Sequence, residues 1–218
     1  MPGVVDGNGL VKRSTLLGWR NVDVRTPIER RFSLPVTVNN DATAAMFTER
    51  LFGKGGPNMM FVRLRRGVGG AVLLGDVPVF GENHAGGEIG HISLDPQGPP
   101  CACGKRGCLE RLVSATSLHA RLQRSDERMR ASILREAGTY LGTALSMPVG
   151  LLDLADVCVY GQSDIVNDTL LSAAQAQLDL LTGSSFHTRT IIRRCECKGE
   201  ITLRGEALSV LHDYLENR

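Results

Sequence analysis

Four side chains that favour soft metals stand together in the stretch HISLDPQGPPCACGKRGCLE, which runs from His91 to Glu110. Their spacing is H-x9-C-x-C-x4-C, so His91, Cys101, Cys103 and Cys108 form a Cys3His set. Zinc takes four nitrogen or sulfur ligands in a tetrahedron, and a structural site fills all four positions with protein groups. The intervening Gly-Pro-Pro and Gly-Lys-Arg-Gly are turn formers, which let a short chain fold back until the sulfurs converge. Lys105 and Arg106 offset part of the charge of three thiolates. A plainer reading is three unrelated cysteines buried as small hydrophobes, but flanks this polar are a poor setting for apolar thiols. Structural zinc is therefore the expected cofactor. Cys158 and Cys195 lie in apolar runs and are expected in the core. Cys195 and Cys197 make a second C-x-C without a matching pair beside it, so no metal is expected there.

Two glutamates flank this knuckle. Glu88 stands three residues before His91, and Glu110 two residues after Cys108. A rigid metal loop would hold both carboxylates in place. Carboxylates beside a histidine suit the hydroxyls of a sugar, because each carboxylate oxygen accepts from an O–H. Glu110 also reads as an acidic residue in the first turn of a helix, where the macrodipole favours it. A second polar pair, Asn40 and Asp41, closes the run PVTVNND and reads equally as a helix cap. These residues bring no excess of cations. Such a composition suits a neutral sugar, whereas a phosphate or carboxylate ligand calls for Arg or Lys.

These groups need elements to hold them. With 218 residues and 42% hydrophobic content, the chain can bury a sizeable core, as one large domain or two modest ones. A net charge of +2 with 22% charged residues gives no global electrostatic case for nucleic acid or membrane. No apolar run approaches the ~20 residues that span a bilayer. The opening MPGVVDGNGLVKRS lacks a long apolar segment of the secretory kind. The expected compartment is the cytoplasm, where thiols stay reduced and clustered cysteines serve metals. Val4–Val5 and Leu10–Val11 suggest a hairpin. TPIERRFSL reads as a helix with Pro27 in its first turn, PVTVNND as a strand, and DATAAMFTERLFG as a helix ending at Gly53. MMFVRLRRGVGGAVLLGDVPVFG reads as two strands joined by a glycine-rich turn. A helix opens at LERLVSATSLHARLQ, and a longer one follows that Pro148 should interrupt. The strand ADVCVYG, the helix DTLLSAAQAQLDLL, the strand TRTIIRRCEC and a terminal helix complete the chain. Strands alternating with helices indicate an α/β fold.

GGEIGHISLDPQGPPCACGKRGCLE, taken whole, resembles the signature of the ROK family of bacterial sugar kinases and sugar-responsive transcriptional repressors. PGVVDGNGLVKRSTLLGWRNV resembles the family's segment ending its small lobe. PVTVNNDATAAMFTE resembles its sugar-binding strand and loop, and VRLRRGVGGAVLLGDVPVFG its glycine-rich hairpin. The similarity is strong from residue 2 to about residue 118 and weak beyond. It implies an actin-like (ribonuclease H-like) two-lobed sugar kinase fold with the sugar in the cleft and most of the N-terminal lobe missing. Residues 1–38 would be the remnant of that lobe. Residues 39–200 would form the large sugar-binding lobe, with the zinc loop at 91–108, and residues 201–218 a C-terminal helix. Asn40, Asp41, Glu88, His91 and Glu110 would bind the sugar, His91 also ligating zinc.

The same resemblance separates two activities. In a kinase, Asp41 would be the general base that takes the sugar hydroxyl proton as it attacks the γ-phosphate of ATP, with Mg2+. Family kinases carry a D-x-G-x-T hairpin ahead of the matched segment, and this chain begins at MPGVVD. Their second phosphate loop reads G-T-G, where RRGVGGA offers no hydroxyl, and VCVYGQSD holds only Gly161 of the usual G-G. The sugar half is intact while the nucleotide half departs. The expectation is the sugar-binding effector domain of a repressor, without its helix-turn-helix, so that DNA is met only through a segment absent from this chain. An N-terminally truncated sugar kinase and a free-standing sugar-binding module are the alternatives. The family implies a homo-oligomer.

Overall fold

The turn-rich opening folds as a three-stranded antiparallel sheet in the computed structural model, which describes residues 1–184, 186 and 188–216. β1 (Val4–Val5) pairs with β2 (Leu10–Ser14) as the apolar pairs suggest, and β2 pairs with β3 (Trp19–Asp23). The first turn is set by Asp6, whose Oδ1 accepts from the backbone N–H of Asn8 and Leu10. β3 is unannounced in the sequence because WRNVD is largely exposed and shows no alternation of apolar and polar residues.

Helix α1 (Arg25–Phe32) follows, and then the expected strand PVTVNND fails to form. No strand is assigned over these residues. Side chains of α1 take the ladder groups instead: Glu29 Oε1 accepts from the Val36 N–H, and Arg25 Nε donates to the Val36 carbonyl. Helix α2 (Asp41–Phe52) ends at Gly53 as read.

A five-stranded mixed sheet lies at the centre, in the order β6-β5-β4-β7-β8. β4 (Met59–Leu64) and β5 (Val68–Leu74) form the glycine-joined hairpin, with β6 (Val77–Pro78) at the edge. β7 (Asp156–Gly161) runs parallel to β4, and β8 (Ile191–Arg194) parallel to β7. β8 is shorter than TRTIIRRCEC suggests, because the N–H groups of Glu196 and Cys197 turn aside to the Glu49 carboxylate.

Period-two alternation sends β4 side chains to two cores. Met60, Val62 and Leu64 face the long helices α5 (Glu127–Leu152) and α6 (Asp168–Thr182). Met59 and Phe61 face α2 and the terminal helix α7 (Ile201–Glu216). The result is an α/β layered architecture. Helix α5 runs unbroken through Pro148, against expectation. That proline removes one hydrogen bond near the C-terminal end, and burial of Leu145 and Val149 on either side holds the helix in line. The helix expected from Leu109 is instead two, α3 (Leu109–Val113) and α4 (Ala115–Leu122). Ser114 adopts extended backbone between them and caps α4 through its Oγ on the Ser117 N–H. Among the described residues, no helix is long and apolar enough to cross a membrane.

Candidate functional site

The knuckle after the short 3-10 turn Ile89–His91 closes as its turn residues require. Isolated bridges join Ser93 to Cys108 and Pro100 to Arg106. Gly107 sits at φ 56° against the Asp95 carbonyl, where any Cβ would collide. The ligating atoms of His91, Cys101, Cys103 and Cys108 all lie within 4.8 Å of one another. Cys101 Sγ is 3.6 Å from His91 Nδ1, and Cys103 Sγ is 3.6 Å from Cys108 Sγ. A tetrahedron with zinc–sulfur bonds of about 2.3 Å has edges of about 3.8 Å, so the four atoms fit zinc. Burial, then the neighbouring thiols, push Cys108 up to about 12. At Cys103 burial pulls the same way but loses to the Lys105 backbone N–H and the adjacent thiols, which hold it below the usual thiol value. Ligation requires thiolates, so a divalent ion bound here would displace any thiol protons.

His91 links the knuckle to the carboxylates. Its Nδ1 faces the thiols, leaving Nε2 3.8 Å from Glu88 Oε2. That separation exceeds hydrogen-bond length, so the carboxylate is a near neighbour of the ring and not a bonded partner. Burial raises the Glu88 pKa, the charges of Glu110 and Asp41 raise it further, and His91 opposes them. The charges of Asp41, Glu110 and His91 therefore all reach Glu88.

Each of the other expected residues has a structural task as well. Asn40 caps α2: its Oδ1 accepts from the N–H of Ala42 and Thr43, and its Nδ2 donates to the Gly3 carbonyl. Both ends of its amide are thus engaged in placing Asp41. Glu110 opens α3 and straps the β4–β5 turn, its Oε2 accepting from the Val68 N–H at 3.1 Å. A Cβ at Gly67 would fall 2.4 Å from that oxygen, so a larger residue there would displace the Glu110 carboxylate from the turn. Asp41 Oδ2 accepts from Arg63 Nη1 at 2.8 Å. Arg63 shares the β4 face of Met59 and Phe61, which carries it to the N-terminus of α2. Its Nε is buried with no hydrogen-bond partner among the described residues. Sequence reasoning does not find Arg63, although a lone charge inside the apolar run MMFVRL is the available signal.

Two other features lie apart. A cavity of about 330 Å3 is lined by Val149, Leu154, Asp179, Arg189 and Thr190, and none of the expected site residues reaches it. Glu49, Cys158 and Cys195 also gather ligating atoms within 4.8 Å. Glu49, however, already accepts from Arg193, the Cys195 thiol and three backbone N–H groups. That carboxylate is saturated by the fold, so the cluster is an internal anchor.

The ROK family model matches residues 1–145. The xylose repressor of Bacillus subtilis (strain 168) is 30% identical over 131 residues, 59% of this chain and 34% of its own length. The glucokinase of Halalkalibacterium halodurans is 39% identical over 121 residues, 54% of this chain and 37% of its own. The matched region thus spans about a third of these curated relatives. A ROK family glucokinase from Streptomyces griseus, solved with glucose and AMPPNP, superposes with a TM-score of 0.83 at 23% identity. That alignment covers 95% of this chain and 78% of the other, and fixes the fold as actin-like. With its signature, its glycine-rich hairpin and its sheet order all accounted for, the chain belongs to the ROK family.

Proposed function

We propose that this chain is the sugar-binding effector domain of a ROK-family transcriptional repressor, with a structural zinc at His91, Cys101, Cys103 and Cys108. The observation that carries this reading is the Arg63–Asp41 ion pair. In a kinase, Asp41 would accept the proton of the attacking hydroxyl. Here a guanidinium engages one of its two oxygens at 2.8 Å, which makes the side chain a fixed hydrogen-bond acceptor in a binding site. The β4–β5 turn supports the same reading. Where family kinases resembling this chain place a hydroxyl to donate to phosphate, it has Arg65, Arg66 and Gly67.

Asp41, Glu88 and His91 would receive ring hydroxyls, with Glu110 approaching from the turn and Asn40 orienting Asp41. Zinc would make the 91–110 loop rigid, so that Glu88 and Glu110 are held before any ligand arrives. Sugar occupancy would tune DNA affinity through a DNA-binding segment outside these residues, in a cytoplasmic homo-oligomer. Because the relatives include glucokinases, the kinase is the reading to beat. A coupled assay with ATP, magnesium and a panel of hexoses decides between them. No turnover is expected. Turnover that vanishes in Asp41→Asn would restore the kinase, with Asp41 as its base.

A further inference from the structure

We infer that Gln175 guards the open edge of the central sheet, its side-chain amide filling the place where β8 of a second copy of this chain would otherwise add a strand. None of the proposed sugar-site residues lines the groove beside this edge. β8 is the last strand of the sheet, so one side of its backbone meets no other strand. The parallel ladder fixes which groups point outward. The N–H groups of Ile191 and Cys195 bond to the carbonyls of Ala155 and Val159, on the β7 side. By alternation, the Thr190 carbonyl and the Ile192 N–H face away from β7.

Both outward groups are taken by one side chain of α6. Gln175 Oε1 accepts from the Ile192 N–H at 2.7 Å, and its Nε2 donates to the Thr190 carbonyl at 2.9 Å. One carboxamide thus offers β8 the acceptor and the donor that an added strand would bring. The amide is itself held, because Nε2 also donates to Asp179 Oδ1 at 2.7 Å and Asp179 is paired with Arg189. The opposite edge of the sheet is blunted differently: β6 is two residues long and ends in Pro78. What Gln175 covers is self-complementary. An antiparallel, two-fold pairing centred on Ile191 would join the Thr190 carbonyl of each copy to the Ile192 N–H of the other. It would also set two Ile191 side chains, each 46% exposed in the single chain, directly opposite one another. Beside the strand runs an open groove of about 400 Å3 with Leu171, Ala176 and Ile192 along it, so the edge is apolar as well as β-branched.

Size-exclusion chromatography with light scattering, run on the 218-residue chain over a range of concentrations, tests the guard. Gln175→Leu keeps the side-chain size and removes the amide. Gln175→Asn keeps an amide too short to reach both groups. Circular dichroism verifies the fold of each. A folded variant should associate as concentration rises, to about double the mass of the wild-type species. Ile191→Lys, added to that variant, would place like charges opposite each other at the two-fold centre and should return the mass to the wild-type value. Folded variants that keep the wild-type mass at every concentration overturn the inference. So does association that survives Ile191→Lys, which puts the new contact elsewhere. If neither variant folds, Gln175 serves the fold itself and the guard is overturned as well.

Discussion

Replacing Glu49 by Gln should cost this fold several kcal/mol, and in a pH-dependent way. The Glu49 side chain is fully buried on α2. It accepts from Arg193 Nη1 at 2.6 Å, from the Cys195 thiol at 3.0 Å, and from the N–H groups of Lys54, Glu196 and Cys197. Burial alone would raise its pKa. The donors more than reverse that and hold it at about 2, against an ordinary 4.5. A carboxylate depressed on folding stabilises the native state fully above its unfolded pKa, and that stability is lost as pH falls through the folded one. The window therefore runs from about pH 5 down to about pH 2, and the shift corresponds to roughly 3 kcal/mol. The Glu49→Gln change leaves a guanidinium short of one partner and turns an N–H2 toward donors, an error of about 3–5 kcal/mol for a buried pair. Arg193 keeps Asp156 at 2.7 Å, which places the expectation at the lower end. At about 2–4 °C per kcal/mol for a chain this size, the melting temperature should drop by about 6–12 °C at neutral pH. Thermal unfolding followed by circular dichroism from pH 7 to pH 2 measures both effects. The wild type should lose stability across the acid window, and the variant should lack that part of the slope. A fall of less than about 2 °C, or an acid slope identical in the two proteins, would refute the reasoning.

The knuckle should retain one zinc per chain through purification, measured by elemental analysis, because four ligands close a structural site. Cys103→Ser keeping full zinc and full thermal stability would sink that assignment. Helices α5 and α6 approach so closely that a Cβ at Gly138 would lie 2.3 Å from the Leu170 carbonyl oxygen. Gly138→Ala should therefore destabilise by about 1–3 kcal/mol despite the better helix propensity of alanine, and chemical denaturation that shows a gain instead would contradict this packing.

Much of this was legible in the residues, for identifiable reasons. The knuckle could be read because metal ligation demands particular side chains, and turn formers between them leave few other uses. Helices α2 and α6 were visible from composition and stop signals, and the β4–β5 hairpin from its apolar runs about a glycine turn. PVTVNND misled because strand formation depends on a partner, and Glu29 and Arg25 take its backbone groups before any strand can. Pro148 misled because packing on both sides outweighs one lost hydrogen bond. Asn40 and Glu110 are each a cap or strap as well as a candidate ligand, and sequence offers both readings without weighing them. Arg63 escaped because its meaning lies in the parity of β4, which sends residue 63 to the face that packs on α2, where Asp41 stands. Proximity of that kind follows from register, and register was not written locally.

Calorimetric titration of wild type and Glu88→Gln against monosaccharides tests the proposed site most directly. Glu88 lies 3.8 Å from His91 Nε2 and feels the charges of Asp41 and Glu110, and in the proposed scheme it ligates no metal. A sugar should bind the wild type, and losing one buried, charge-assisted hydrogen bond should cost about 1.5–3 kcal/mol. That is roughly ten- to hundredfold weaker binding in the variant. Equal affinity in the two proteins would place the ligand elsewhere, and a wild type that binds no sugar at all would contradict a sensor built on Asp41, Glu88 and His91.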